Sequence, residues 1–387
     1  MLTQTKGKPP QWKPATTPTI LDEDTGTFYR DQNAARYPKH PIEPAARAVL
    51  AQVPEDFDTQ DVDIFGCGST LGNLLRFVRG EDKAFRFTVE AIGNTVFFVR
   101  RENAPDELLH HDGQPIRGYG HSFPDRYTQW EHGVEGSASH QRVITYSFCG
   151  LKCLVRFEAD GYLEQEVCAT EEVEIEAERR DAALALMQIP GISTRESGAL
   201  IPQNVIFDLK TRTIKKRDQV DDILADQIAR FWVAQIPNFI LAFHDRGRFS
   251  PEDILVQDVR KDIDQWQSQH QDELRKLGLL LAKLVQIARV TVPEHKFEVV
   301  CTSPDMLEIR EQGGEVDSPL CEEMRQIWLK SVSSLIDSDA ESEASGHAGV
   351  GADGSGDEAA YSDAGSDRSL DYTACGTKCG YCGRCGY

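Results

Sequence analysis

The chain has 387 residues, 40% of them hydrophobic, which is enough to bury one large core or two small ones and too much for a wholly disordered protein. Its formal charge of −21 argues against a uniformly basic nucleic-acid binder, yet the acid is concentrated. Residues 337 to 387 hold ten Asp and Glu against three Lys and Arg, residues 164 to 181 hold eight against two, and the remainder carries only −8.

Residues 1 to 60 are rich in Pro, among them Pro9, Pro10, Pro38, Pro41 and Pro44, and read as an extended arm with one short helix near 44 to 53. Met1 to Thr19 are polar and hold no apolar stretch for a signal peptide, and the longest apolar run, 277 to 285, is too short to span a bilayer, so the expected location is the cytosol or nucleus without a membrane. Residues 61 to 120 read as a β-rich lobe: a strand at 61 to 65, a helix at 71 to 79, and strands at 85 to 92 and 96 to 100 around the turn pair Gly93-Asn94. Residues 122 to 134 suggest a helix with Ser122 as N-cap.

A hairpin follows, strands 142 to 148 and 151 to 163 turned at Cys149-Gly150, then an acidic insertion over 164 to 198. A strand at 205 to 213, a helix at 220 to 234 ended near Pro237 and a strand at 238 to 244 complete a unit. Residues 251 to 290 carry apolar residues at helical spacing and read as one broken or two packed helices. A hairpin at 297 to 310 and a helix at 320 to 335 close the domain, expected over 121 to 336; residues 337 to 387 form a tail expected to be disordered. The fold class is therefore α+β or α/β with a mixed central sheet.

Alternate residues of a strand share a face. Residues 151 to 160 thus divide into Cys153, Val155, Phe157 and Ala159 on one side and Leu154, Arg156, Glu158 and Asp160 on the other. On the later strand Val205, Phe207 and Leu209 oppose Asp208, Lys210 and Arg212. Two strands then each offer a carboxylate on a polar face, and one adds a lysine. A hard cation such as Mg²⁺ (or Mn²⁺) needs one or two carboxylates plus waters and phosphate oxygens, and an adjacent ammonium can orient the attacking water. The competing reading is an ion-paired, solvated sheet face.

In these segments, Phe157-Glu158-Ala159-Asp160-Gly161 and Phe207-Asp208-Leu209-Lys210-Thr211, the chain resembles the PD-(D/E)XK nuclease superfamily and its RecB-like branch. The element order fits that family's αβββαβ core over about 120 residues. The resemblance implies Mg²⁺ or Mn²⁺ bound by Asp160 and Asp208, catalysis by these with Lys210 and Glu158, and hydrolysis of phosphodiesters in DNA or RNA. It also implies a Glu on the first helix, Glu131 or Glu135, and a Gln on the second, Gln227, although Phe231 stands where a Tyr is expected. His140 and Arg156 are further supporting candidates. The alternative is a catalytically silent binding or scaffold protein on the same fold, recruiting partners through its acidic tail.

Cys375, Cys379, Cys382 and Cys385 have a spacing dense enough for Zn²⁺ or an iron–sulfur cluster, or serve protein contact as reduced thiols. The whole chain, including Gly66-Cys67-Gly68-Ser69-Thr70 and the Cys-Gly-Tyr-Cys-Gly-Arg-Cys ending, is also similar to a family of fungal proteins to which the name geranylgeranyl pyrophosphate synthetase is sometimes attached. Its residues do not support that name: prenyl synthases are all-helical with two Asp-rich motifs, and Asp221-Asp222 with Asp226 stands alone.

Overall fold

The computed structural model describes residues 8–24, 39–51, 57–100, 110–111, 114–115, 118–132, 134–135, 137, 139–164, 201–290, 296–312 and 316–337. In chain order the elements are β1 (Gln11–Trp12), β2 (Thr19–Ile20), α1 (Glu43–Leu50), β3 (Ile64–Cys67), α2 (Gly68–Val78), β4 (Phe85–Ile92), β5 (Thr95–Arg100), β6 (His110–His111) and β7 (Gln114–Pro115). They continue as α3 (Ser122–Tyr127), β8 (Thr128–Gln129), β9 (His140–Phe148), β10 (Leu151–Ala159), β11 (Gly161–Tyr162), β12 (Ile206–Thr213) and α4 (Val220–Ala234). The last are β13 (Asn238–Asp245), β14 (Arg248–Asp258), α5 (Arg260–Gln269), α6 (Gln271–Val290), β15 (Lys296–Ser303), β16 (Met306–Arg310) and α7 (Glu322–Asp337).

The strands form two seven-stranded mixed sheets and a separate β6–β7 pair. One runs in the order β16-β15-β4-β5-β3-β10-β9 and the other β2-β14-β13-β12-β11-β1-β8. The largest apolar cluster joins both sheets to α2, α4, α5 and α6 through residues such as Leu74, Val155, Phe231, Leu241 and Leu281. A second cluster lays α1 and α7 on the far face of the first sheet, with Trp328 against Phe65 and Phe97. A third packs Trp12, Phe123, Tyr127 and Phe249 against Phe207 and Leu209. The mixed α+β class expected from the sequence is the class observed, and an all-helical prenyl-synthase architecture is excluded by these sheets. No helix among the described residues is long and apolar enough to cross a membrane.

Three expectations need correction. The strands placed in a separate lobe over 61 to 120 lie in the middle of the first sheet, because β3 pairs in parallel with β10 from Ile64↔Cys153 to Cys67↔Arg156. Residues 251 to 258 belong to a strand rather than a helix: β13 and β14 form a hairpin whose turn holds Arg246 at φ +49° and Gly247 at φ +86°. A spacing of four fits both periods there, and the Asp245-Arg246-Gly247 turn signal decides. The helix expected over 122 to 134 stops at Tyr127, and its first turn is capped by Asp24 rather than by Ser122. The Asp24 carboxylate accepts the backbone N–H of His121 at 3.1 Å and of Ser122 at 2.8 Å.

Candidate active site

The strand expected to run unbroken from 151 to 163 divides at Asp160. β10 ends at Ala159 inside the first sheet, and β11 opens at Gly161 inside the second, paired antiparallel to β12 at Gly161↔Phe207. Asp160 therefore sits where the chain crosses between sheets, and its Oδ2 accepts the Leu209 backbone N–H at 2.7 Å. That bond draws the carboxylate over the middle of β12, beside Asp208 and Lys210.

β12 alternates as its sequence requires, but both faces are buried. Phe207 and Leu209 enter the third apolar cluster, while Asp208 (1% exposed) and Lys210 (3%) share the register face of Phe239 and Leu241 on β13, toward α4. A solvated, ion-paired sheet face is thus not what the chain builds. The Lys210 Nζ is buried without a hydrogen-bond partner among the described residues. From α4 the Arg230 guanidinium reaches this face and forms an ion pair with Asp208 Oδ1, and Gln227, one helical turn earlier, is likewise buried. Arg230 was absent from the sequence-based candidates. Its signal was a lone charge within the apolar run Ile228-Ala229-Arg230-Phe231-Trp232, where a solvated residue is not expected.

Electrostatics binds these residues into one cluster. Burial, followed by the Asp208 charge, pushes the Asp160 carboxyl up to about 8, and Glu158 adds to the push; Lys210 and Arg230 act in the opposite sense without cancelling it. Two buried carboxylates that remain short of positive charge beside an ammonium and a guanidinium are a fitting place for a hard dication, and every donor is oxygen. Among the described residues no three His, Cys, Asp or Glu side chains converge closely enough to hold an ion by themselves. An ion here would rest on Asp160 and Asp208 and complete its shell with water or ligand oxygens, the usual habit of Mg²⁺.

A cleft of ≈ 640 Å³ lies over Asp160. Asp22, Asp24, Asp125, His140, Glu158 and Asp160 contribute to its walls, and none of the lining residues among those described is Lys or Arg. His140 is opposite Ala159 in the β9–β10 ladder, with Nε2 buried and without a hydrogen-bond partner among the described residues. Burial, aided by the Arg142 charge, lowers its imidazole to about 3. Because this folded-state value lies below the ordinary 6.5, the unfolded chain takes up the proton first as pH falls, and stability present above pH 6.5 is lost toward pH 3. His140→Gln is expected to remove about 1–3 kcal/mol of the difference between pH 6.5 and pH 4 in urea unfolding. An identical pH profile for variant and parent would show that His140 is solvated.

The remaining candidates lie apart from the acid cluster. Glu131, beyond the short α3, bonds to Lys8 and to the Tyr162 hydroxyl. Burial raises its carboxyl, but those two hydrogen bonds outweigh it and hold Glu131 below its ordinary range. Glu135 bonds to His132. Arg156 Nη1 donates to the Pro41 carbonyl at 2.9 Å, fastening the N-terminal segment instead of facing the acids. The basic run after Lys210 also divides, since Lys215 and Lys216 are exposed while Arg217 pairs with Asp253. Asp221, Asp222 and Asp226 are exposed near the start of α4. Cys375, Cys379, Cys382 and Cys385, with the Zn²⁺ or iron–sulfur and partner roles attached to them, lie outside the described residues.

Comparison with known proteins follows from this geometry. A family model described as a domain of unknown function, DUF8563, matches residues 2–307. The chain belongs to the DUF8563 family. No curated protein matches it. Among solved structures, this DUF8563 member is similar to Scheffersomyces stipitis Rai1 in complex with (3'-NADP)+ and calcium ion, at 14% identity over 84% of this chain and 89% of that one, with a TM-score of 0.51. A second crystal structure of S. stipitis Rai1 gives 14% identity, 84% and 91% coverage and a TM-score of 0.51. At that identity the likeness establishes a shared fold, the mixed α+β architecture described above.

Proposed function

We propose that the chain is a Mg²⁺- or Mn²⁺-dependent phosphodiesterase acting on RNA or DNA, with Asp160 and Asp208 holding the ion. The observation that carries this reading is the convergence of Asp160, Asp208 and Lys210 into one buried electrostatic cluster below an open cleft. The ion, when bound, supplies a more acidic water and offsets charge on the phosphate. Lys210, whose Nζ has no hydrogen-bond partner among the described residues, can donate to that water or to a phosphate oxygen. Glu158, charge-coupled to Asp160 and lining the cleft, is placed to accept a proton or steady the shell. The dinucleotide and calcium ion named for the S. stipitis Rai1 complex support a ligand that pairs nucleotide phosphates with a hard cation.

The test is cleavage of 5'-labelled single- and double-stranded RNA and DNA by the full chain with Mg²⁺ or Mn²⁺. Lys210→Met and Asp160→Asn are each expected to lower the rate by about 100-fold or more. Asp160→Asn keeps the shape of the side chain and an oxygen that can accept the Leu209 N–H, so loss of activity there is not loss of fold. Metal-dependent cleavage that survives both changes would end the proposal.

A second reading is a silent binding protein on the same fold. It is favoured by Arg230 sitting on Asp208 and by a cleft wall without Lys or Arg. Metal binding without cleavage of any of the four substrates would select it.

A further inference from the structure

We propose that Arg230 is a resident counter-ion for Asp208, displaced when a divalent ion loads and held away by a phosphate-bearing ligand, so that metal and phosphate bind cooperatively. The inference rests on the metal site proposed above and adds to it the residue that controls its loading.

Arg230 lies in the buried half of α4 between Ala229 and Phe231, 4% and 0% exposed, so its backbone is fixed by core packing. Its guanidinium reaches Asp208 Oδ1, and its charge is felt at Asp160 as well. Asp208 is 1% exposed, so an ion entering from the cleft must approach a carboxylate already facing a guanidinium. Two cations cannot share that oxygen without mutual repulsion, which water screens poorly at such burial.

Charge balance gives the direction. Asp160, Asp208 and Glu158 oppose Lys210 and Arg230, leaving the ionised cluster one negative charge. A dication alone carries it past neutrality, whereas a dication with a phosphodiester restores balance. The planar guanidinium is well matched to a phosphate, and its long stem permits the exchange while α4 stays in place. Gln227, one turn earlier and with a buried Oε1 that has no hydrogen-bond partner among the described residues, lacks the charge needed for such a role.

The experiment follows free Mn²⁺ by electron paramagnetic resonance during titration of the full chain, with and without a phosphorothioate-linked oligonucleotide that resists cleavage. Without oligonucleotide, Arg230→Gln is expected to bind Mn²⁺ at least about tenfold more tightly than the parent, and Arg230→Lys within about threefold of it. Adding oligonucleotide is expected to tighten Mn²⁺ binding to the parent by about tenfold and to Arg230→Gln by less than about threefold. The parent measurement alone tests the cooperativity if the Gln variant unfolds. Equal affinity in parent and Arg230→Gln, or no effect of oligonucleotide on the parent, overturns the inference while leaving the metal site standing. Absence of Mn²⁺ binding in every protein and condition overturns the metal site and this inference together.

Discussion

Asp208→Ala is expected to destabilise the native state by about 3–5 kcal/mol, the range for removing one partner of a buried ion pair. The loss comes less from the contact itself than from what remains: a guanidinium at 7% exposure deprived of the carboxylate it pairs with. Adding Arg230→Met to Asp208→Ala replaces the stranded charge with apolar volume and is expected to recover more than half of the loss, because a buried pair exchanged as a unit costs little. Urea unfolding of the two single variants and the double variant supplies the cycle. Additive losses would mean that Arg230 and Asp208 do not depend on each other, and the arrangement argued for the site would fall with them.

Gly161→Ala is expected to cost about 2–3 kcal/mol, as overpacking of a tight interior does. A Cβ at this position would lie 2.3 Å from Phe207 Cζ and 2.6 Å from the Pro10 carbonyl oxygen. Phe207 cannot swing aside freely, since it is fully buried against Trp12 at a centroid distance of 5.8 Å. The Pro10 oxygen cannot retreat without breaking its 3.0 Å bond from the Tyr162 N–H. Either movement displaces Asp160, so Mn²⁺ affinity is expected to weaken together with stability. Gly120→Ala is the matched control: a Cβ there meets only Asp24 Oδ2, at 3.7 Å, and stability is expected to change by less than about 0.5 kcal/mol. Unfolding of Gly161→Ala at the parent midpoint would show that the sheet crossover has room to spare.

Much of the site was legible because strand alternation is a local property. Phe207 and Leu209 opposing Asp208 and Lys210 follows from backbone geometry alone, and the same rule put Val155, Phe157 and Ala159 on the core side of β10. The 220–234 helix was equally local, closed by Gln235 in a left-handed conformation and by Pro237 beyond it. The partners of Arg156 and Glu131, the Pro41 carbonyl and Lys8, were not legible because they are over a hundred residues away in sequence. No periodicity encodes such a pairing.

The sequence by itself therefore determined which face of β12 Asp208 and Lys210 occupy and the mixed α+β class. Tertiary structure alone decided that the strand through Asp160 changes sheets and that the polar face of β12 is buried beneath α4. It also decided that Arg230 meets Asp208 and that the N-terminal segment, through β1 and Asp24, helps build the cleft. The physical reason is range. A residue's face is set by its own φ and ψ, whereas its burial and its partner depend on which distant segment the folded chain brings across from it.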